Sequence, residues 1–127
     1  MVTGAARILL VDDEPRTCQM LQRILACEGY AVDAAHDGRA ALRQAARQRY
    51  DFIVLDYRMP KMDGVELFRR IRRRLPDVVG VMLTGYAAAE MDYRVIDAGI
   101  SRVLGKPVDL DELLAVLNQC LPEPAEG

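Results

Sequence analysis

FIVLD at residues 52–56 is a four-residue apolar run that ends on a carboxylate, and this pattern recurs along the chain. Similar runs occur in RILLVDD (residues 7–13), GVMLT (residues 80–84) and VLGK (residues 103–106). Short, continuous runs rich in Val, Ile and Leu are typical of parallel strands covered on both faces. Because the carboxyl ends of such strands meet at one edge of a sheet, we expect the terminal polar residues to form one site. They are Asp12, Asp13, Asp56, Thr84 and Lys106.

The intervals between these residues fit repeated strand–helix units. Asp13 and Asp56 are 43 residues apart, which leaves room for two units if Tyr30–Ala35 is the strand between them. The next two intervals, to Thr84 and then to Lys106, are 28 and 22 residues, each enough for one crossover. The fifth strand is predicted at Arg102–Leu104. Helices are predicted from Glu14 to about Glu28, from Gly38 to about Arg49, over Gly64–Leu75, over Ala87–Asp97 and from a capping-box motif at Asp109 onward.

Length and charge limit the function classes. A chain of 127 residues is expected to form one domain with its own core, here placed at residues 1–121, with residues 122–127 as a tail or the start of a linker. The formal net charge of −2 gives no general attraction to nucleic acid or to an anionic membrane. No apolar run approaches the length needed to cross a bilayer. We therefore expect a soluble protein that finds its partners through a surface patch, and the three cysteines, which suggest no disulfide framework, favour a reducing cytoplasm.

Several residues have simpler interpretations. The three cysteines are widely spaced without a C-x-x-C pair, so we expect no disulfide or zinc site, and helical core packing for Cys18, Cys27 and Cys120. His36 is predicted in a solvent-facing turn. The arginine run within residues 69–74 is predicted to be a solvated face, in preference to a docking or nucleic-acid patch.

A shared site for three carboxylates requires a compensating positive charge, because neighbouring carboxylates raise one another's pKa. Magnesium would remove the conflict, since it prefers oxygen ligands and is usually held by one or two carboxylates together with a phosphate. A lysine ammonium and a threonine hydroxyl are then suited to bind phosphoryl oxygens. Asp56, in the middle, is the predicted nucleophile, because carboxylates form covalent aspartyl-phosphates. Taken singly, Asp12-Asp13 could be a helix cap, Asp56 a turn former, Thr84 a cap and Lys106 a surface charge.

Four motifs together resemble the receiver domain of two-component response regulators. They are VDDE at residues 11–14, VLDYRMPKMDG at residues 54–64, LTGY at residues 83–86 and GKP at residues 105–107. The resemblance spans about residues 6–121. It implies an α/β, flavodoxin-like (βα)5 three-layer sandwich with a five-stranded parallel sheet of order 2-1-3-4-5, a topology for which receivers serve as a general example.

The resemblance also implies roles for the site residues. Asp56 would accept a phosphoryl group from a phosphohistidine on a histidine kinase or a histidine phosphotransfer protein. Asp13, Asp56 and the backbone carbonyl of Arg58 would bind Mg²⁺ directly, and Asp12 would act through water. Thr84 and Lys106 would contact the phosphoryl oxygens. The family usually has a cis peptide bond at Lys106-Pro107.

The switch residues depart from the family pattern. In receivers the phosphoryl group draws the threonine inward, and an aromatic residue on strand five turns with it. The surface of helix four, strand five and helix five then changes, controls an output domain or partner, and in some cases forms a homodimer. Here the aromatic position is Val103, so Tyr86 or Tyr93 is the hypothetical replacement. Arg58 and Tyr86 occupy positions that tune hydrolysis of the acyl phosphate in the family.

Three functions remain open at this point. The first is a phosphorylatable signalling domain that is not an enzyme apart from limited self-catalysed phosphorylation and dephosphorylation. The second is a receiver-like interaction module that works without phosphorylation, suggested by Val103. The third is an aspartyl-phosphate phosphatase, which would need a further general acid/base and a substrate-closing cap. Uptake of phosphoryl from a small donor separates the first two, and turnover of a phosphomonoester would support the third.

Overall fold

The computed structural model describes residues 5–85 and 92–120. Its strands are β1 (Arg7–Val11), β2 (Ala31–Ala35), β3 (Phe52–Asp56), β4 (Arg58–Met59), β5 (Met62–Asp63), β6 (Val79–Thr84) and β7 (Ile100–Gly105). Its helices are α1 (Pro15–Cys27), α2 (Gly38–Arg47), α3 (Gly64–Arg74), α4 (Tyr93–Asp97) and α5 (Leu110–Gln119). None of the helices in these two ranges is long and apolar enough to traverse a lipid bilayer.

Five strands form one parallel sheet in the order β2-β1-β3-β6-β7. Because β4 and β5 pair only with each other, this is the predicted order 2-1-3-4-5, and the predicted flavodoxin-like fold is confirmed. The register aligns the carboxyl ends: Val11 pairs with Leu55, Asp56 with Leu83, and Thr84 with Gly105.

Alternate strand residues enter two apolar layers, one on each face of the sheet. Leu9, Ile53 and Met82 belong to the layer that contains the buried residues of α2, α3 and α4. Leu10, Val54 and Val81 belong to the layer that contains those of α1 and α5. This period of two explains why the three central strands, β1, β3 and β6, have almost continuous apolar sequences, since both of their faces are covered.

Aspartate side chains fix the starts of four helices by accepting hydrogen bonds from first-turn amides. The distances are 2.7 Å from Ala40 N to Asp37 Oδ1 and 3.2 Å from Glu112 N to Asp109 Oδ1. The other two caps are Asp63 and Asp92. The predicted cap at Asp109 is therefore present.

Some sequence-based boundaries were wrong. The predicted loop Asp56–Asp63 contains the two-residue ladder of β4 and β5, and Asp56 itself closes β3. β7 begins at Ile100, two residues before Arg102, because Ile100 pairs with Gly80 across a register irregularity. Helix α2 ends two residues before its predicted limit, and β2 starts one residue later than predicted. Residues 87–91 of the predicted fourth helix, Leu121 and the tail at residues 122–127 lie outside the described residues.

The expected core packing of the cysteines holds for only part of the set. Cys18 is buried, whereas Cys120 is partly exposed and Cys27 is exposed. The reason is helical geometry, since the buried positions of α1 are 18, 21 and 25, and residue 27 lies two positions past the last of them. His36 is exposed, as predicted.

Candidate functional site at the carboxyl edge of the sheet

The predicted site residues come from four neighbouring strands. Asp12 and Asp13 follow β1, Asp56 ends β3, Thr84 ends β6, and Lys106 follows β7. The strand register places these ends side by side at one edge of the sheet. The expectation that these strand ends meet is confirmed, because parallel pairing aligns them whatever their separation in sequence.

Three carboxylates form one acidic cluster. One oxygen from each of Asp12, Asp13 and Asp56 lies within 4.8 Å of the other two. Asp12 is buried, Asp13 is exposed, and Asp56 is intermediate between them. Asp12 is also oriented locally, since its Oδ1 accepts from Glu14 N at 2.9 Å. The cluster therefore has a fixed inner member and an outer member that faces solvent.

Lys106 supplies the positive charge at this cluster. Its Nζ donates to Asp12 Oδ2 and to Asp56 Oδ2, at 2.9 Å each. Its backbone N–H donates to Thr84 O at 2.9 Å, which fixes the base of the side chain to β6. Burial alone would lower the pKa of Lys106, but the hydrogen bonds to Asp56 and Asp12 raise it above its ordinary value. The ammonium is therefore held charged between two carboxylates.

Burial has the opposite consequence at Asp56. It raises the pKa of the Asp56 carboxyl above the ordinary value, although the hydrogen bond and the charge of Lys106 act to lower it. Arg58 N approaches Asp56 Oδ1 at 3.4 Å from the exposed side of the loop. A carboxylate that is partly removed from water, with a lysine on one side and an open face on the other, is suited to nucleophilic attack on an incoming electrophile.

The backbone around Asp56 leaves no room for a side chain at the next helix start. A Cβ atom at Gly64 would meet the carbonyl oxygen of Asp56, so only glycine fits this close approach. The Lys106-Pro107 peptide bond is cis, as the resemblance implied.

The structure describes some, but not all, of the residues proposed for the switch. Thr84 is buried, and Val103 is half-buried against the apolar layer beneath α2, α3 and α4. Tyr93 lies on α4 with 78% of its surface exposed. Tyr86 falls outside the described residues. A polar network beside the site joins Tyr57 to Asp92, and it was not predicted from the sequence. No spacing rule links these two residues, so only the fold reveals the contact.

The donor set fits a hard divalent cation. All three ligand groups are carboxylates, and oxygen-only sites of this kind suit Mg²⁺ or Ca²⁺ better than softer metals. The exposure of Asp13 leaves space for water, which magnesium usually retains.

Comparisons with known proteins identify the class. The family model described as the response regulator receiver domain matches residues 8–118. The chain therefore belongs to the receiver domain family of two-component response regulators, as its four motifs suggested.

Curated relatives and solved structures agree with this assignment. The response regulator MprA of Mycobacterium tuberculosis is 39% identical over 125 residues, covering 95% of this chain and 54% of that protein. MprA of Mycobacterium avium is 40% identical over 115 residues, with coverages of 91% and 50%. The chain thus spans about half the length of these relatives.

Three solved structures are similar to this chain, two of them over almost their whole length. The chemotaxis protein CheY4 of Vibrio cholerae has a TM-score of 0.86 and 33% identity, covering 93% of this chain and 100% of that one. The response regulator TrrA of Thermotoga maritima, in complex with Mg²⁺ and BeF, has a TM-score of 0.83 and 34% identity, with coverages of 91% and 99%. A response regulator from Burkholderia pseudomallei with a phosphorylated aspartic acid and a calcium ion has a TM-score of 0.82 and 30% identity, with coverages of 88% and 66%.

Proposed function

We propose that this chain is a phosphoacceptor receiver in which Asp56 takes a phosphoryl group from a phosphohistidine. The observation that carries the proposal is the position of Lys106 Nζ, 2.9 Å from a carboxylate oxygen of both Asp12 and Asp56. This arrangement sets a fixed positive charge beside a partly exposed nucleophile. Phosphoryl transfer depends mainly on positioning and on neutralising charge, and these are what the site offers.

The transfer is a displacement at phosphorus. An Asp56 carboxylate oxygen forms the new P–O bond, the P–N bond of the phosphohistidine breaks, and its electron pair returns to the imidazole. Lys106 then exchanges its contact with the Asp56 carboxylate for one with a phosphoryl oxygen, and the Thr84 hydroxyl donates to another. Lys106 keeps its contact with Asp12, so the ammonium stays anchored during this exchange.

We propose Mg²⁺ as the cofactor. Asp13, Asp56 and the backbone carbonyl of Arg58 would hold it directly, with Asp12 acting through water. When bound, magnesium neutralises the clustered carboxylates and the oxygens of the transferring group. The TrrA complex with Mg²⁺ and BeF and the phosphorylated regulator with calcium support this assignment by similarity.

The partners follow from the same proposal. The phosphoryl donor is a sensor histidine kinase or a histidine phosphotransfer protein, and the receiver controls an output domain or a separate protein. The surface of α4, β7 and α5 carries the response and is available for homodimer formation. Bulk at Arg58 and Tyr86 is proposed to tune hydrolysis of the acyl phosphate by hindering water.

Incubation of the purified chain with acetyl phosphate and MgCl2, followed by intact-mass measurement, tests the proposal. We expect the mass increment of one phosphoryl group in the wild type. Asp56→Asn should abolish the increment, because an amide is a poor nucleophile. Asp51→Asn is the matched control, since Asp51 precedes β3 at the opposite edge of the sheet and accepts from Arg7 N at 2.8 Å. EDTA should suppress uptake in the wild type.

Two further assays, together with the mass measurement, separate the other functions. A chain that takes up no phosphoryl group, even from a phosphorylated histidine kinase, would be the phosphorylation-independent module that Val103 suggested. Turnover of p-nitrophenyl phosphate that depends on Asp56 would indicate the phosphatase. Uptake in Asp56→Asn equal to that in the wild type would refute the assignment of the acceptor.

A further inference from the structure

Tyr57, the residue directly after Asp56, is fixed by its backbone to two elements. Its N–H donates to Leu83 O at 2.9 Å, and its carbonyl accepts from Gly64 N at 3.0 Å. The side chain is buried, with 8% of the residue's surface exposed. A displacement of the loop that follows Asp56 therefore moves the Tyr57 ring as well.

The Tyr57 phenol reaches the start of α4. Its hydroxyl donates to Asp92 Oδ2 at 2.8 Å, and Asp92 is the N-cap of α4. Asp92 in turn binds Arg94, whose Nη2 lies 2.7 Å from Asp92 Oδ2. The hydrogen bonds to Arg94 and Tyr57 hold the pKa of Asp92 well below its ordinary range, so the carboxylate remains charged.

Arg94 connects Asp92 to the loop that follows Asp56. Its Nη2 is also 3.0 Å from Asp63 Oδ2, and Asp63 is the N-cap of α3. Residues 57 and 63 bracket the segment that follows Asp56, and both connect to α4 through Asp92 and Arg94. We call Tyr57, Asp92, Arg94 and Asp63 the α4 anchor.

Helix α4 has few other means of attachment in the part that the structure describes. Val95 and Ala98 are buried, whereas Tyr93 and Ile96 are 78% and 80% exposed. Elements with few apolar contacts are the ones that move at low free-energy cost. The α4 anchor therefore contributes a large share of what positions the start of the helix.

The basic run on α3 holds the other end of α4. Arg69 Nη2 lies 3.2 Å from Asp97 Oδ2, and Arg72 Nη1 donates to Ala98 O at 2.8 Å. The run, predicted as a solvated face, is largely exposed but also has this structural use. Because these contacts hold the C-terminal end of α4, the N-terminal end at Asp92 is the part of the helix that can move when the site changes.

We propose that Tyr57 is a positioning residue that couples the state of Asp56 to the position of α4 through Asp92 and Arg94. Tyr57 would thereby take the role of the aromatic switch residue of the family, whose position on β7 is occupied here by Val103. This inference rests on the proposed phosphoacceptor function. The anchor coexists with Lys106 bound to Asp56, which is the contact that phosphorylation replaces, so the anchor stabilises the unphosphorylated arrangement. Weakening it shifts the population toward the switched arrangement.

Coupling of this kind is reciprocal. If Tyr57→Phe releases α4, it also raises the affinity of the site for a phosphoryl analogue by the same factor. The loss of one hydrogen bond to a charged acceptor predicts a roughly tenfold to hundredfold tighter apparent Kd for beryllofluoride in the presence of Mg²⁺. The exchange rate of the Val95 amide, which donates to Asp92 O at the start of α4, should rise by a similar factor before any analogue is added.

Tyr50→Phe is the matched control. Tyr50 is also buried, and its hydroxyl donates to a carboxylate, Asp33 Oδ2, at 2.7 Å. It precedes β3, at the edge of the sheet opposite Asp56, so its loss should leave both measurements at wild-type values. Arg94→Gln is a second variant, on a side chain 37% exposed, that removes the bridge between Asp92 and Asp63 without emptying the core. It should change both measurements in the same direction as Tyr57→Phe.

The outcomes are distinct. Tighter analogue binding and faster exchange at α4 in Tyr57→Phe and Arg94→Gln, with Tyr50→Phe unchanged, would support the coupling. Wild-type or weaker analogue binding in both anchor variants would overturn it, and so would an equal effect in Tyr50→Phe. Phosphoryl uptake by the wild type in the mass assay, alongside such a negative result, would leave the proposed function standing and refute only the role of Tyr57.

Discussion

Replacing Lys106 with methionine should destabilise the chain without magnesium and increase its response to magnesium. The lysine ammonium is the only cation bound between Asp12 and Asp56 in the ion pairs that the described residues form. Methionine keeps much of the aliphatic length and removes the charge. The carboxylates would then repel one another with nothing between them, while a divalent cation could take over the lost positive charge.

The magnitude follows from the distances. At an effective dielectric constant of about 20, each 2.9 Å pair attracts by roughly 6 kcal/mol, and carboxylates up to 4.8 Å apart repel by roughly 3 kcal/mol or more, before desolvation. Desolvation offsets most of this gain, and the Lys106 side chain is 31% exposed, which adds screening by solvent. We therefore expect a net loss of about 2–3 kcal/mol, or roughly 8–12 °C in Tm for a domain of this size.

Thermal unfolding followed by circular dichroism, in EDTA and in saturating MgCl2, measures both effects. Lys106→Met should have the lower Tm in EDTA and the larger increase in Tm on adding magnesium. Lys61→Met is the matched control, because Lys61 is the other lysine of the chain and is exposed. The reasoning is refuted if Lys106→Met unfolds at the wild-type Tm in EDTA, or if magnesium stabilises it no more than it stabilises Lys61→Met.

Three further changes test other parts of the structure. Burial and the hydrogen bond to Asp33 raise the pKa of Tyr50, so the unfolded chain loses this proton first and the wild type loses stability as the pH rises above about 10. In urea unfolding, the stability of Tyr50→Phe should fall less steeply with pH above about 10, and a slope equal to that of the wild type would contradict the prediction. Gly64→Ala should lower Tm by several degrees and reduce phosphoryl uptake, because the new methyl group displaces the carbonyl of Asp56; wild-type uptake would show that the close approach is dispensable. Asp63→Ala should cost about 1 kcal/mol in urea unfolding, since its carboxylate accepts from two first-turn amides of α3, and an unchanged midpoint would exclude this cap as a source of stability.

The strand cores were predictable because both faces of the sheet are covered. Phe52 and Val54 enter one layer and Ile53 and Leu55 the other, so the whole run must be apolar. A continuous run of that kind can be recognised in sequence without knowledge of its neighbours. The ends of the runs were predictable for the same reason, because a polar residue marks the point where the strand leaves the core.

The errors occur where pairing with a distant segment decides the structure. Ile100 joins β7 because it pairs with Gly80, which no local pattern around Ile100 indicates. The ladder of β4 and β5 has two residues on each side, too few for an alternating pattern to appear. Cys27 was assigned to the core from residue type, although its helical position turns it outward.

The sequence by itself determined the fold class, the strand order through the family motifs, and the set of residues that meet at the edge of the sheet, because these depend on local apolar runs and on the chirality of crossovers. Only the tertiary structure decided the contacts within that set. Lys106 lies between Asp12 and Asp56, which are 94 and 50 residues away in sequence, and Tyr57 reaches Asp92 across 35 residues. Hydrogen bonds require atoms within a few tenths of an ångström of their ideal separation, and only the packing of sheet and helices fixes positions to that accuracy.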